Sequence, residues 1–390
     1  MRGAALKIAD VRCHVLQAKL DRPFAWSQNW ARARGALLVE VRTDDGLIGW
    51  GEAGAGWEQQ AARAVIETMF RPLLLGRNPL DVEVAWQALH AAMLNGGLSR
   101  GIAVQALSGV DIALWDLAGK ALGQPVYRLL GGAYRDRVVA YATGLYYTET
   151  ADQMAALVDE ALGYVAQGFR GVKMKVGGLE PAADLRHVAA VREAIGPDVF
   201  LAVDANQAYN TFSAIRVGRG LEEADVLWFE EPVPFDDLQG YLRVKAATRL
   251  AIAGGEALYT RFAFRDYIAR RAFDIAQPDV TNVGGLTEAR RIVALTSTFG
   301  VQCFPHVWGT PIALAAGLHL LATIASNPTC RNPQPFLQEP VLEFDRTPNP
   351  LREELAEHRP ELADGAVAVL QGPGLGVEPD RTALDRFRAD

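Results

Sequence analysis

The hydrophobic positions of this chain change rhythm once. In the leading part, alternation comes first: positions 37–41 read as a strand, Thr43-Asp44-Asp45-Gly46 as a turn and 47–51 as the returning strand, which predicts an antiparallel hairpin. Positions 61–75 and 82–94 then carry apolar residues at helical spacing. A long apolar-faced helix is predicted over 104–122, closed by Gly123 and Pro125. Strands followed by helices make this leader an α+β unit.

From Val138 the pattern becomes strand, loop, helix, the alternation of an α/β parallel sheet or barrel. Runs at 138–142, 171–175, 199–203, 226–229, 250–253, 274–276 and 301–304 read as strands, with an eighth short one near Phe336. A polar tail with Pro348, Pro350, Pro360 and a Gly372-Pro373-Gly374 turn follows and is expected to pack back on the leader. The division expected is therefore 1–130, 131–335 and 336–390.

A chain of 390 residues has room for a barrel and a second domain. Its net charge of −7 offers no basic footprint, which argues against nucleic acid and anionic membrane as partners. No stretch of 18 uninterrupted apolar residues occurs and positions 1–10 lack a signal-peptide core, so a cytoplasmic protein is expected. Cys13, Cys303 and Cys330 are widely spaced and odd in number, which leaves neither a disulfide framework nor a CxxC clip. HExxH and P-loop motifs are missing, and Gly54-Ala55-Gly56 lacks the third glycine of a dinucleotide fingerprint.

Candidate chemistry gathers where predicted strands end. Asp204, Glu230 and Glu256 follow three successive strands at equal intervals of 26 residues. In a parallel barrel such positions share one rim, and three converging carboxylates suit Mg²⁺, a hard cation that takes oxygen ligands. Lys173 and Lys175 are two apart in one strand and point to one face. Repulsion between two ammoniums, with a dication nearby, would lower a lysine pKa toward that of a base working near neutrality. Solvated surface lysines are the alternative, but Val172, Met174 and Val176 interleave with them. Asp279 and His306 close the sixth and seventh strands, where a carboxylate beside the imidazole would fix its tautomer and make an acid or base.

These residues lie within Lys173-Met174-Lys175, Asp204-Ala205-Asn206, Glu230-Glu231-Pro232, Gly254-Gly255-Glu256, Gln277-Pro278-Asp279 and Pro305-His306. In that order the six motifs resemble the enolase superfamily, mandelate racemase subgroup, of the mandelate racemase/muconate lactonizing enzyme family. The resemblance implies a modified TIM barrel, (β/α)7β, with an α+β capping domain built from the leader and the returning tail. It also implies that Asp204, Glu230 and Glu256 bind Mg²⁺, with Asn206 and Glu231 beside them. By the same likeness Lys175 is the base on one face of the substrate and Lys173 stands near the substrate carboxylate. The Asp279–His306 dyad then works on the other face, and Glu339, in Gln338-Glu339-Pro340, is the acid at the enolate oxygen. Family members commonly form homo-oligomers, octamers among them. Gly255 and Asn282 depart from the pattern of the muconate-lactonising subgroup.

The activity implied is Mg²⁺-dependent abstraction of the proton alpha to a carboxylate, which the handling of charge by metal and lysine explains. Expulsion of a beta oxygen would make a sugar-acid dehydratase or, if that oxygen closes a lactone, an aldarolactone cycloisomerase. Return of the proton from the opposite face would make a racemase or epimerase. The segments 305–310, 343–347 and 372–376 are similar to those of lactone-opening members. Trp26, Trp30 and Trp57, in loops particular to this chain, are candidates to roof the substrate. A metal-dependent hydrolase is the contrasting class, but metal-activated water usually needs histidine ligands or a second metal.

Overall fold

The computed structural model describes residues 6–54, 56 and 58–389. The leader begins with a long strand, β1 (Ile8–Ala25), that the apolar pattern does not single out. Arg12, Gln17, Lys19 and Asp21 on its exposed side mask the buried row formed by Ile8, Val11, Leu16, Ala18 and Leu20. It pairs antiparallel with β2 (Trp30–Thr43), which pairs with β3 (Ile48–Ala53), Val41 opposite Gly49. This is the predicted hairpin, extended at both ends. The helical stretch expected over 61–75 is three short pieces, Gln59–Val65, a π turn at Ile66–Phe70, and Arg71–Leu74.

The helix Ile102–Leu122 lies directly on this sheet. A Cβ on Gly51 would stand 2.0 Å from the Gly109 carbonyl, and one on Gly49 2.2 Å from that of Ala113, so two strand glycines let the helix backbone approach. Gly123, at φ 62°, ends the helix in the left-handed conformation. The helix is long and apolar enough to cross a membrane by length and composition, yet 89% of its most apolar window is buried inside the fold. It is a core helix of the cap.

Seven parallel strands follow: β4 (Arg137–Thr143), β5 (Gly171–Lys175), β6 (Phe200–Asp204), β7 (Trp228–Glu230), β8 (Ala251–Gly254), β9 (Ile275–Ala276) and β10 (Gln302–Cys303). Each pairs with the next in chain order, and a helix lies between successive strands. The eighth strand, β11 (Leu342–Asp345), pairs in parallel on the other side of β4. The architecture is thus the (β/α)7β form of a TIM barrel beneath an α+β cap.

The eighth strand does not lie near Phe336, and the reason is local. Phe336 follows a proline and has φ +68°, which cannot continue a strand. Its ring instead stacks on Phe200 at 4.4 Å and helps fill the barrel floor with Tyr141, Trp228 and Phe304. Barrel residues therefore extend beyond position 335. The tail then adds a short strand, Ala366–Ala368, antiparallel to β4. The terminal helix Arg381–Phe387 returns to the cap, where Ala389 N donates to Val15 O at 2.9 Å.

Candidate active site

Strand register sets the site. Lys175 pairs with Asp204 and Asp204 with Glu230, so three charged side chains stand in one row across β5, β6 and β7. Glu256 follows β8 after Gly255, whose φ of +126° and close approach to the Phe264 ring allow the turn. Asp204, Glu230 and Glu256 can each offer an oxygen, and these oxygens lie within 4.8 Å of one another. Asp204 and Glu230 are fully buried.

The surroundings treat these acids as charges that need cations. Lys173 Nζ donates to Glu230 at 2.5 Å, and Lys175 Nζ to Asp204 at 2.5 Å. Trp228 Nε1 and Gln277 Nε2 both donate to Glu230 Oε2, at 3.0 and 2.7 Å. Burial pushes the Glu230 carboxyl up, Lys173 opposes it, and crowding by Asp204, Glu343 and Glu256 contributes to a final value of about 7. Asp204 is raised by burial but held below its usual range by Lys175 and Lys173.

The donor set fits a hard divalent cation. It consists of three carboxylates, and two further oxygens, Asn206 Oδ1 and Glu231 Oε1, are buried beside them with no partner among the described residues. Asn206 and Glu231 also hold positive φ, 42° and 39°, so local backbone strain is concentrated here.

Set against the protein's own charges alone, with no cation to offset the acids, both lysines are held as ammoniums. Burial lowers the Lys173 pKa, but Glu230 and Glu343 outweigh it and hold the ammonium well above its ordinary value. For Lys175, Asp204 likewise outweighs burial and the repulsion from Lys173. Each ammonium touches at least one carboxylate, Lys173 at Glu230 and Glu343 and Lys175 at Asp204.

Across the triad stands the dyad. Asp279 Oδ2 lies 2.6 Å from His306 Nδ1, while Asp279 Oδ1 accepts from Thr281 N at 2.7 Å and Thr281 Oγ1 at 2.6 Å. This leaves His306 Nε2 to face the site, 3.3 Å from Glu256. Burial pulls the imidazole pKa down, but Glu256, Glu343 and Asp279 outweigh it and push it up to about 10.

Glu339 is not part of this cluster. It lies beyond the Phe336 turn, its side chain 26% exposed and 3.9 Å from Arg135. The acid that enters the site is Glu343, the inward residue of β11. It accepts from Lys173 at 2.8 Å, Thr143 Oγ1 at 2.6 Å and Val307 N at 3.2 Å, and it stands 4.0 Å from His306 Nε2. Its carboxyl, raised by burial, is pulled down to about 2 by Lys173 and His306. The alternation in Leu342-Glu343-Phe344-Asp345 was the available signal.

A pocket of about 280 Å³ opens above these groups, bordered by Trp26, Tyr146, Tyr259, Asn282 and Trp308. That is just below the usual range for drug-sized ligands and suits a small polar molecule. Trp26 meets Trp308 edge to face, with centroids 6.4 Å apart. Its loop is fastened to the barrel where Ser27 Oγ donates to Ala205 O at 2.7 Å and Gln28 donates to Asn206 O. Asn206 enters the same pocket, its Nδ2 3.5 Å from Glu256. Trp30 is 37% exposed beside Arg32 and does not border the pocket. Trp57 lies outside the described residues. Trp308 lies in the segment 305–310 noted in the sequence, whereas Tyr146 and Tyr259 belong to no sequence motif, because isolated aromatic loop residues read equally well as packing.

Known proteins are similar to this chain in sequence and fold. Residues 9–131 match the mandelate racemase/muconate lactonizing enzyme N-terminal domain, and residues 155–383 match the enolase C-terminal domain-like family. D-galactarolactone cycloisomerase of Agrobacterium fabrum is 40% identical over 384 residues, 98% of this chain and 99% of that protein. The crystal structure of the 3,6-anhydro-D-galactonate cycloisomerase from Zobellia galactanivorans superposes with a TM-score of 0.87 at 38% identity, covering 98% of this chain and 100% of that one. An L-talarate/galactarate dehydratase variant, crystallised with Mg and L-glucarate, superposes with a TM-score of 0.86 at 30% identity, covering 99% of this chain and 93% of that one. With both family domains matched and relatives aligned along nearly its whole length, the chain is an enzyme of the enolase superfamily and belongs to the mandelate racemase/muconate lactonizing enzyme family.

Proposed function

We propose that this enzyme removes the proton alpha to the carboxylate of a hydroxylated sugar acid or its lactone and expels the beta oxygen. It acts as an aldarolactone cycloisomerase or an acid-sugar dehydratase, with Mg²⁺ as its cation. The observation that carries the reading is the placing of two proton-transfer groups on two sides of one acidic triad. Lys175 Nζ touches it at Asp204, and His306 Nε2 touches it at Glu256.

Asp204, Glu230 and Glu256 would hold Mg²⁺, which when bound supplies positive charge against the second negative charge that develops on a carboxylate as its alpha proton leaves. Lys175 acts as the neutral amine: once the charge of Asp204 is taken up by the cation, the ammonium gives its own proton to solvent and Nζ takes the alpha proton. The C–H electron pair becomes a carbon–carbon double bond, the bond from the beta carbon to oxygen breaks, and His306 Nε2 delivers a proton to a departing hydroxyl. Where the departing oxygen belongs to a lactone it leaves as a carboxylate, with His306 Nε2 hydrogen-bonded to it as it takes up negative charge. The enol so formed tautomerises to a 2-keto acid. Asp279 accepts from His306 Nδ1–H, so the proton that the imidazolium gives up is the one on Nε2, facing the pocket, and Lys173 and Glu343 pair beside the substrate carboxylate.

The test is a panel of D-galactarolactone, galactarate, 3,6-anhydro-D-galactonate and aldonates, followed by proton NMR in D₂O with Mg²⁺. The expected result is loss of the alpha-proton signal with formation of a 2-keto acid. An exchanged but otherwise intact substrate would instead indicate a racemase or epimerase. Oxygen-18 entering an acyl carbon without loss of the alpha proton would indicate a hydrolase and overturn the reading.

A further inference from the structure

The two halves of the dyad sit on different loops, and each loop runs into a barrel helix. Asp279 precedes the helix Gly285–Phe299, and His306 precedes Pro311–Ala322. At the start of each helix waits a buried carboxylate from the cap. Glu52, on β3, accepts from Thr310 N at 3.2 Å, Thr310 Oγ1 at 2.5 Å and Ala313 N at 3.1 Å. Asp111, on the helix Ile102–Leu122, accepts from Thr287 N at 2.9 Å and Thr287 Oγ1 at 2.6 Å.

The two junctions are built alike. Each has one acid from the cap, one threonine hydroxyl and one amide of the barrel helix. Each also has a glycine where any Cβ would strike the acid. A Cβ on Gly309 would lie 2.6 Å from Glu52 Oε1, and one on Gly285, at φ +82°, 2.2 Å from Asp111 Oδ2. The second junction is braced further, since Ser108 Oγ accepts from Gly284 N at 2.8 Å and Trp86 Nε1 donates to Gly284 O at 2.7 Å. Glu52 and Asp111 are 4% and 1% exposed. A buried carboxylate without such donors would cost several kcal/mol, so each acid is bound to its loop as firmly as the loop is bound to it.

Another buried acid of the cap sets the contrast. Asp116 accepts from Trp50 N at 2.8 Å and Leu375 N at 2.7 Å and is paired with Lys120, so it ties the cap to the tail and reaches neither catalytic loop. Burial alone therefore does not place an acid at the dyad.

We propose that Glu52 and Asp111 are positioning residues through which the docked cap sets the His306–Asp279 dyad, so that acid–base function on this side depends on the seating of the cap, whereas Lys175 works from the barrel alone. This rests on the proton-transfer roles given above. His306 lies four residues before Thr310 on the same loop. Displacing a catalytic group by about 1 Å can cost about 100-fold in rate.

The experiment measures two rates in D₂O with Mg²⁺ on D-galactarolactone and on galactarate: 2-keto acid formation, and deuterium entry at the alpha carbon of recovered substrate. Glu52→Ala is expected to carry the signature of His306→Asn, product formation down about 10- to 100-fold with alpha-deuteration kept within about 3-fold. Glu52→Gln, which can still accept from Thr310 Oγ1 and Ala313 N, is expected to restore most of the product rate. Asp111→Asn is expected to resemble a mild Asp279 lesion, and Asp116→Asn to leave the ratio of the two rates unchanged. If Glu52→Ala fails to fold, Thr310→Val removes one hydroxyl from the same junction and is judged by the same ratio. Parallel loss of both rates in these variants, or no loss of product, would overturn the positioning role. Absence of both rates in the unmodified enzyme would instead overturn the proposed reaction.

Discussion

Replacing Glu343 and Glu339 in turn by glutamine separates the acid that the motif resemblance points to from the one that the fold brings into the site. Glu343→Gln has one oxygen where Glu343 uses two, Oε2 for Val307 N and Oε1 for Thr143 Oγ1 and Lys173, so it loses one acceptor as well as the charge opposite Lys173 at 2.8 Å and near His306 at 4.0 Å. Breaking a buried ion pair typically costs about 3–5 kcal/mol, but Lys173 retains Glu230 at 2.5 Å, so about 2–3 kcal/mol of stability is the expected loss. The catalytic loss is expected to be larger in proportion, about 100-fold or more in kcat, as for removal of one group that stabilises developing charge. Glu339→Gln removes only a partly exposed contact with Arg135 at 3.9 Å, worth about 0.5 kcal/mol or less, with turnover unchanged. Urea unfolding monitored by tryptophan fluorescence reads the first quantity, and 2-keto acid formation reads the second. A crippled Glu339→Gln enzyme beside a normal Glu343→Gln enzyme would refute this placing of the acid.

Other consequences are open to direct measurement. Asp204→Asn leaves Lys175 and one side of the triad without their charged partner, so the Mg²⁺ concentration for half-maximal activity is expected to rise at least about tenfold; unchanged metal dependence would remove Asp204 as a ligand. His319 is held neutral between Tyr127 N and Leu375 O, and burial depresses its pKa from 6.5 to about 4. The unfolded chain therefore binds the extra proton first, and stability is expected to fall by about 3 kcal/mol as pH drops from about 6.5 to about 4. His319→Gln should flatten that part of the pH–stability curve, and an unaltered slope would contradict the assignment. Gly51→Ala would drive a methyl group into the Gly109 carbonyl at 2.0 Å, and a loss of about 2 kcal/mol or more in urea unfolding is expected. A stable Gly51→Ala protein would mean that the helix does not seat on the sheet as described.

Much of the site was legible because a parallel barrel turns sequence order into spatial order. Once Asp204, Glu230, Asp279 and His306 are read as strand ends, the rim follows. What escaped was whatever depends on more than one strand. The sequence places the eighth strand near Phe336, but positive φ turns that ring into the barrel floor. The resemblance points to Glu339, in Gln338-Glu339-Pro340, whereas the strand that enters the site carries Glu343. Spacing likewise shows the neighbouring ammonium of the lysine pair, but not the carboxylates from β6, β7 and β11 that raise both pKa values where no cation offsets them. Strand β1 was hidden by its charged outer face, and the acids at the helix starts, Glu52 and Asp111, belong to contacts between residues far apart in sequence.

The central claim is that two proton-transfer groups serve one substrate from two sides. It is tested most directly by alpha-carbon deuterium entry and 2-keto acid formation in Lys175→Ala and His306→Asn, measured on the same substrate in D₂O with Mg²⁺. The expected result is that Lys175→Ala loses both, while His306→Asn keeps deuterium entry and loses product formation. Deuterium entry that survives Lys175→Ala and vanishes in His306→Asn would contradict the assignment of Lys175 as the initiating base.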